Sequence, residues 1–421
     1  MKKWMFIFGG LVMSASAWAQ QPAVAEAAKL EQRISVLEAT SAGQSKLKVS
    51  GYIQTQVQWG QEAASLKVGA ANSNSQESFS RMGIRRGRIK FTYDVSPLLS
   101  GVFQLDVTEK GVGFKDAYLN LKSPWLNTLQ FRAGIFDRPF GNEISYSSSK
   151  RESPERSQVF QTLFPEERDL GAMAVLQAPK TSPWNIVKLE AGLFAGNGIK
   201  AETDNRRDFI GHLSVDKKLG SVQLAGGVSY YNGGVYQGST KVYTLQGSAF
   251  VESDNEGNRG QFARREYYGL DVQFTAQTRA GATQLRAEYL WGQQPGTAGS
   301  SKSPNAATLP TADTYIRPFS GWYAILVQDL GASPLSAVLK YDVYDPNTGV
   351  KGNQAGAEGS GTSKTDLAYS TLGFGALWQL SSAVRLQAFY EAVRNETSQN
   401  IGGMEKDRRD NLFTIRLQYK F

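Results

Sequence analysis

The chain closes with Phe413-Thr414-Ile415-Arg416-Leu417-Gln418-Tyr419-Lys420-Phe421, in which apolar residues occupy every odd position and polar or charged residues every even one. A period of two marks an extended strand with two unlike faces. The same alternation recurs throughout the chain. Leu285, Ala287, Tyr289 and Trp291 face away from Gln284, Arg286 and Glu288, and Leu129, Phe131, Ala133 and Ile135 away from Gln130 and Arg132. Phe103, Leu105 and Val107 oppose Gln104, Asp106 and Thr108. The pattern begins after Lys46, where Leu47, Val49, Ile53, Val57 and Trp59 oppose Lys48, Ser50, Tyr52, Gln54, Gln56 and Gln58.

What precedes Lys46 reads differently. Lys2 and Lys3 introduce an apolar stretch from Trp4 to Val12 that ends in Ala17-Trp18-Ala19, the form of a secretory leader cut after Ala19. Residues 20–45 place Ala27, Leu30, Ile34 and Leu37 three or four apart, so a short helix with one apolar, coiled-coil-like seam is expected in the periplasm. So short a helix is marginal alone, and self-association or packing on the main domain would bury its seam. Residues 46–421 then form the main domain.

Composition removes several functional classes. The 421 residues include no Cys and one His, which leaves no disulfide framework, thiolate metal site or cysteine nucleophile. A Ser/His/Asp site would have to use His212, which alternation places on a strand's polar face as a wall residue. No enzyme activity, cofactor or metal is expected. After the leader no apolar run approaches the ~18 residues of a membrane helix. Lys and Arg number 46 against 38 Asp and Glu, a weak sign of anionic partners, and nucleic acid is implausible for an exported chain.

Connections between strands alternate in length. Short ones fall near 96–97, 124–125, 179–183, 219–220, 280–281, 331–333 and 380–382, and long polar ones near 60–80, 137–168, 196–207, 233–262, 293–315, 346–365 and 396–408. Short turns on one rim and long loops on the other describe a transmembrane barrel. The run Val242 to Val251 reads as a strand, but a full crossing there would make the total odd, so it is placed inside a loop. The expectation is a 16-stranded antiparallel transmembrane β-barrel, with 18 as the rival count. Alternation alone would also suit a soluble sandwich. The aromatics decide: Trp59, Tyr93, Tyr230, Tyr289, Trp291, Tyr341, Trp378, Tyr390 and Tyr419 sit toward strand ends on apolar faces, as interfacial girdles do. Charges at mid-strand on the opposite face suit a wet lumen and not a dry core. The terminal Phe421 resembles the assembly signal of outer-membrane barrel proteins.

Arg86, Arg88 and Lys90 project from one face of the second strand as a basic column, with Arg81 and Arg85 near its loop end. Barrel closure brings Arg416 and Lys420 of the last strand beside the first, with Arg385 on the strand before it, and Arg132 lies on another polar face. The anion pathway is therefore expected to use Arg85, Arg86, Arg88, Lys90, Arg132, Arg385 and Arg416, because a guanidinium offers a planar fork to carboxylate or phosphate oxygens. General diffusion pores also carry an arginine wall facing acidic residues. The loop from Asp137 to Asp169 is long enough to imply a function, and it is read as folding inward to constrict the pore, with Arg138, Lys150, Arg151 and Arg156 among its basic residues. Phe140, Tyr146 and Phe160 would pack it against the wall.

Val49-Ser50-Gly51-Tyr52, Arg85-Arg86-Gly87-Arg88, Lys115-Asp116-Ala117-Tyr118 and Arg132-Ala133-Gly134-Ile135-Phe136-Asp137-Arg138-Pro139-Phe140-Gly141 resemble phosphate-selective porins O and P. The resemblance implies a trimeric, 16-stranded anion channel of the Gram-negative outer membrane whose third loop narrows the pore, with Arg86 and Arg88 as lumen contacts. The sequence departs from that pattern in lacking a dense lysine ring at the mouth and in carrying as many carboxylates as bases in the loop. Small anions, phosphate among them, are the expected solutes, with outer-membrane lipid and two further copies of the chain as partners. A general or sugar-type pore is the alternative, for which Tyr52, Tyr118, Tyr267 and Tyr344 are candidate stacking residues. Segments Glu252 to Gly257 and Asp345 to Gly349 read as calcium loops or, more simply, as solvated turns.

Overall fold

The computed structural model describes residues 46–70 and 78–421, with Lys29, Gln32 and Arg33. The expected leader and helical seam lie outside the described residues. From Leu47 the regular structure is almost wholly strand: β1 (Leu47–Gln61), β2 (Ser78–Asp94), β3 (Leu99–Thr108), β4 (Gly111–Lys122) and β5 (Leu129–Asp137) come first. After a short helix α1 (Gln158–Leu163) follow β6 (Arg168–Gln177), β7 (Val187–Phe194), β8 (Asp208–Leu219) and β9 (Val222–Tyr236). The hairpin β10 (Lys241–Gln246) and β11 (Ala249–Asp254) precedes β12 (Phe262–Thr278), β13 (Gly281–Gly296), β14 (Thr314–Asp329) and β15 (Leu335–Asp345). The chain ends with β16 (Tyr369–Gln379), β17 (Val384–Asn395) and β18 (Leu412–Lys420).

Sixteen of these strands pair antiparallel in sequence order and close where β1 meets β18. The hairpin is not part of the cylinder. β10 lies parallel to the loop end of β14 through Val242–Thr244 and Thr314–Ile316, so the run 242–251 is strand but belongs to a loop, as the parity of the barrel requires. Closure is a polar match between first and last strands. Gln54 Nε2 donates to Gln418 Oε1 (2.7 Å), Arg416 Nε to Gln56 Oε1 (2.9 Å) and Gln58 Nε2 to Thr414 Oγ1 (3.0 Å). The opposite faces carry Ile53, Trp59, Leu417 and Tyr419, all exposed. An apolar skin continued by Phe91, Phe103, Leu119, Leu270 and Leu339 is far more than a soluble surface tolerates and suits acyl chains. At its rims the aromatics pair across strands, as in Trp59 with Phe413, Tyr268 with Trp291 and Trp322 with Tyr341.

One connection departs from the alternation of lengths. β3 and β4 are joined on the long-loop rim by only Glu109 and Lys110, a turn that Gly111 permits at φ +119°. β3 therefore stops short, and Ser78 to Gly87 of β2 have no partner on that side. Carboxylates take up two of the freed donors: Ile84 N–H bonds Glu109 Oε2 and Gly87 N–H bonds Asp106 Oδ1, each at 2.9 Å.

The loop between β5 and β6, residues 138–167, enters the lumen instead of rising from the rim. Phe140, Ile144, Val159, Phe160, Leu163 and Phe164 form the largest apolar cluster with Tyr231, Tyr267, Phe319 and Tyr323 of the wall. The core of this protein thus lies inside the barrel, between an inserted loop and one side of it.

Candidate functional site: a basic passage beside the inserted loop

β2 supplies the basic wall, and a bulge makes it denser than alternation allows. Gln54 pairs with Arg86 but Thr55 pairs with Ile84, so Arg85 is the extra residue. Adjacent residues of a regular strand face opposite ways, yet here Arg85 and Arg86 both reach the lumen and the same carboxylate of the loop. A second bulge, between Gln104 and Leu105, does the same for Lys115 and Asp116 of β4. Arg88 follows two residues after Arg86, donating to Asp106 (3.3 Å) and Ser148 Oγ (3.1 Å) with its guanidinium over the Tyr52 ring.

The loop is clasped along much of the wall. Gln54 and Gln418 side chains donate to the Ser148 and Ser149 carbonyls (both 3.0 Å), and Arg385 donates to those of Lys150 (3.1 Å) and Arg151 (2.9 Å). Arg286 pairs with Glu152, and Lys340 stands 3.7 Å from Glu143. Glu155 is the busiest anchor: Arg85 binds it through two nitrogens (2.7 and 2.8 Å), Arg86 at 2.9 Å and Arg416 at 3.1 Å. Burial works against its charge, but those three guanidinium groups hold the loop carboxyl well below the usual range. Where the loop returns to β6, Glu166 and Glu167 are both left-handed, at φ 60° and 69°, a conformation sparsely used by residues with a side chain. Glu167 thereby reaches Arg156 and, at 2.9 Å, Arg168. Its carboxyl too is held low: Arg156, Lys115 and Arg168 outweigh its burial.

Open space remains on the other side of the loop. A cavity of about 250 Å³ lies between Tyr146–Ser149 and β1 to β5, with six basic side chains against Asp116 and Asp137. Another of about 270 Å³ carries Arg85, Arg86, Arg88, Lys115 and Arg156 against Asp106, Glu155, Glu166 and Glu167. Arg88 and Arg156 line both. These two arginines, one on the wall and one on the loop, border both spaces. A third cavity of about 290 Å³ lies toward β15 to β18, where Lys67, Arg156 and Arg408 meet Glu155, Asp342, Glu391 and Asp410.

The residues singled out from sequence line the cavities or clasp the loop, and Arg85 and Arg86 do both through Glu155. Arg85, Arg86, Arg88, Lys90 and Arg132 line the first two cavities, and Arg132 stacks on Tyr118 with its centre 4.7 Å from the ring. Arg385 and Arg416 instead hold the loop. Among the loop bases only Arg156 reaches the cavities. Arg138 is buried at the loop's base, bonded to the Pro165 and Glu167 carbonyls, Lys150 is exposed, and Arg151 is buried. Tyr52 and Tyr118 line the first cavity, whereas Tyr267 and Tyr344 are buried under the loop, so the four do not form a track. His212 is bonded to Asp271 (2.9 Å), and Glu252 is occupied by Lys241 and Tyr243. Lys115, Glu155, Glu166 and Glu167 received no site role from sequence, because nothing local announces a bulge, a left-handed glutamate or the place where an inserted loop comes to rest.

No family model and no curated protein sequence matches the chain. Solved structures match by fold. OprB of Pseudomonas putida aligns over 91% of this chain and 96% of its own, with TM-score 0.58 at 9% identity. OmpF of Salmonella typhi, solved with daunomycin, gives 0.54 at 12%, and the outer membrane channel DcaP of Acinetobacter baumannii 0.53 at 11%, each over 89% of this chain and 97% of its own. The chain has the fold of the outer-membrane porins.

Proposed function

We propose that the chain is an outer-membrane porin, a channel without catalytic activity through which small anions diffuse passively past Arg85, Arg86, Arg88, Lys90, Arg132 and Arg156. The observation that carries this reading is the lining of the first cavity, six basic residues to two acidic, continuous through Arg88 and Arg156 with a second that is also basic in balance. Fixed positive charge at a constriction concentrates anions and repels cations. In a salt gradient across a planar bilayer, the reversal potential is expected on the anion side. Arg86→Ala/Arg88→Ala should move it toward zero. A cation-selective wild type would overturn the proposal.

Two narrower readings remain in play. Glu155, Glu166 and Glu167 opposite the arginines favour a general diffusion pore with a transverse field, while the sequence resemblance favours phosphate. Phosphate that reduces chloride current at low concentration would favour the second. A homotrimer is also proposed. Its support is an apolar groove of about 420 Å³ on the outer face of β2 to β5, floored by Gly101, Ala117 and Ala133. Phe103→Lys beside that groove is expected to shift unheated protein from trimer to monomer on native gels.

A further inference from the structure

We infer that Glu155 is a tethered stand-in for a mobile anion: Arg85, Arg86 and Arg416 form an oxyanion site that the loop's own carboxylate fills. The inference rests on the reading of the passage as an anion pathway and adds a residue that sets how strong its preference is.

Three guanidinium groups from two neighbouring regions of wall converge on one carboxylate, and none of the three pairs with any other acid among the described residues. Their remaining contacts are neutral: Arg86 with Gln54 Oε1, and Arg416 with Gln56 Oε1 and the Pro154 carbonyl. Three positive charges therefore meet one negative. A fourth lies close in the chain. Arg151 is 3% exposed, and all three of its guanidinium nitrogens lack a hydrogen-bond partner among the described residues. Burial and the neighbouring charges of Arg156 and Arg86 work against its cation, and Glu155 and Glu143 favour it. A guanidinium stays protonated in proteins, so this excess of buried positive charge calls for anionic compensation.

The chemistry of the pocket selects its ligand. Forked donors from several directions match the oxygens of phosphate or of a carboxylate, the groups for which charge-assisted guanidinium contacts are strongest. Access is available, because Glu155 borders both the second and third cavities and Arg85 and Arg86 border the second. In the wild type the tethered carboxylate has a large effective concentration and outcompetes solutes. Solutes then see a column whose strongest site is already neutralised in part.

The test is bilayer recording of wild type, Glu155→Gln and Glu152→Gln, with inorganic phosphate added to chloride solutions. Glu152→Gln removes the same charge from the same loop, but its partner is Arg286 of β13. Glu155→Gln is expected to increase the chloride over potassium permeability ratio and to make the current sensitive to phosphate at about tenfold lower concentration. Glu152→Gln should keep wild-type phosphate sensitivity. Glu155→Asp, which keeps the charge but retracts it by one methylene, should fall between, and it decides the question if Glu155→Gln fails to assemble. Equal phosphate sensitivity in the Glu155 and Glu152 variants overturns this inference and leaves the anion pathway standing. A cation-selective wild type whose Glu155→Gln form gains phosphate block does the reverse.

Discussion

Excising residues 143–163 and bridging the ends with a short glycine-serine segment should raise single-channel conductance severalfold while the barrel still assembles. Assembly survives because β5 and β6 are already partners up to Asp137 and Arg168, so a hairpin turn can join them. Conductance rises because the segment fills much of the lumen, with Ile144, Val159, Phe160 and Leu163 all but wholly buried. The piece removed carries three bases and three acids, Lys150, Arg151 and Arg156 against Glu143, Glu152 and Glu155. It takes no net charge with it. What it uncovers is basic, since Arg85, Arg86, Arg286 and Arg416 lose their carboxylate partners, while Lys340 keeps Asp342 at 3.6 Å. The widened pore is therefore expected to keep its anion bias while admitting larger solutes. Unchanged conductance would show that the loop does not narrow the path.

Glu288→Ala should be the most damaging single substitution in the loop's support. This buried carboxylate of β13 accepts the backbone N–H of Asn142 (2.9 Å), that of Glu143 (2.6 Å) and the hydroxyl of Tyr323 (2.5 Å). It fixes the point at which the loop leaves the wall. Gly141 makes this possible: at φ +60° it passes so near that a Cβ would lie 2.0 Å from Glu288 Oε2. Removing the acceptor strands three donors, at about 1–3 kcal/mol each where water does not reach them, so a loss of about 3 kcal/mol or more is expected. The readout is the temperature at which the detergent-solubilised protein loses its compact gel mobility. Glu288→Gln, which retains one acceptor oxygen, should lose less. Bilayer currents of the Ala variant should also be noisier, because the loop's first anchor is gone. A variant as heat-resistant and quiet as wild type would mean that the loop is held mainly by its arginine clasps.

The polar ladder that seals the barrel was legible long before folding. Gln54, Gln56 and Gln58 on one strand, and Thr414, Arg416 and Gln418 on the other, announce their common face by spacing alone. Parity kept the run 242–251 out of the count, because a closed up-and-down cylinder with both ends on one rim cannot hold an odd number of strands, but it left 16 and 18 as rivals. The tight turn at Glu109–Lys110 was not anticipated, since a long loop was expected on that rim. Arg86, Arg88 and Lys90 were correctly placed on one face for the same reason as the glutamines. Arg385 and Arg416 share that polar face, but alternation says only that a side chain points inward, not whether it meets water or a loop.

Sequence by itself therefore determined the barrel, its two faces and the side on which its charges lie, because a strand's period and a cylinder's parity are local or arithmetical facts. Tertiary structure alone decided which charges are spent on holding the loop and which remain open to solutes. That division depends on two bulges, on the left-handed Glu166 and Glu167, and on one loop carboxylate meeting three arginines of β2 and β18. Such meetings are set by where an inserted loop comes to rest, and short-range patterning carries no record of that.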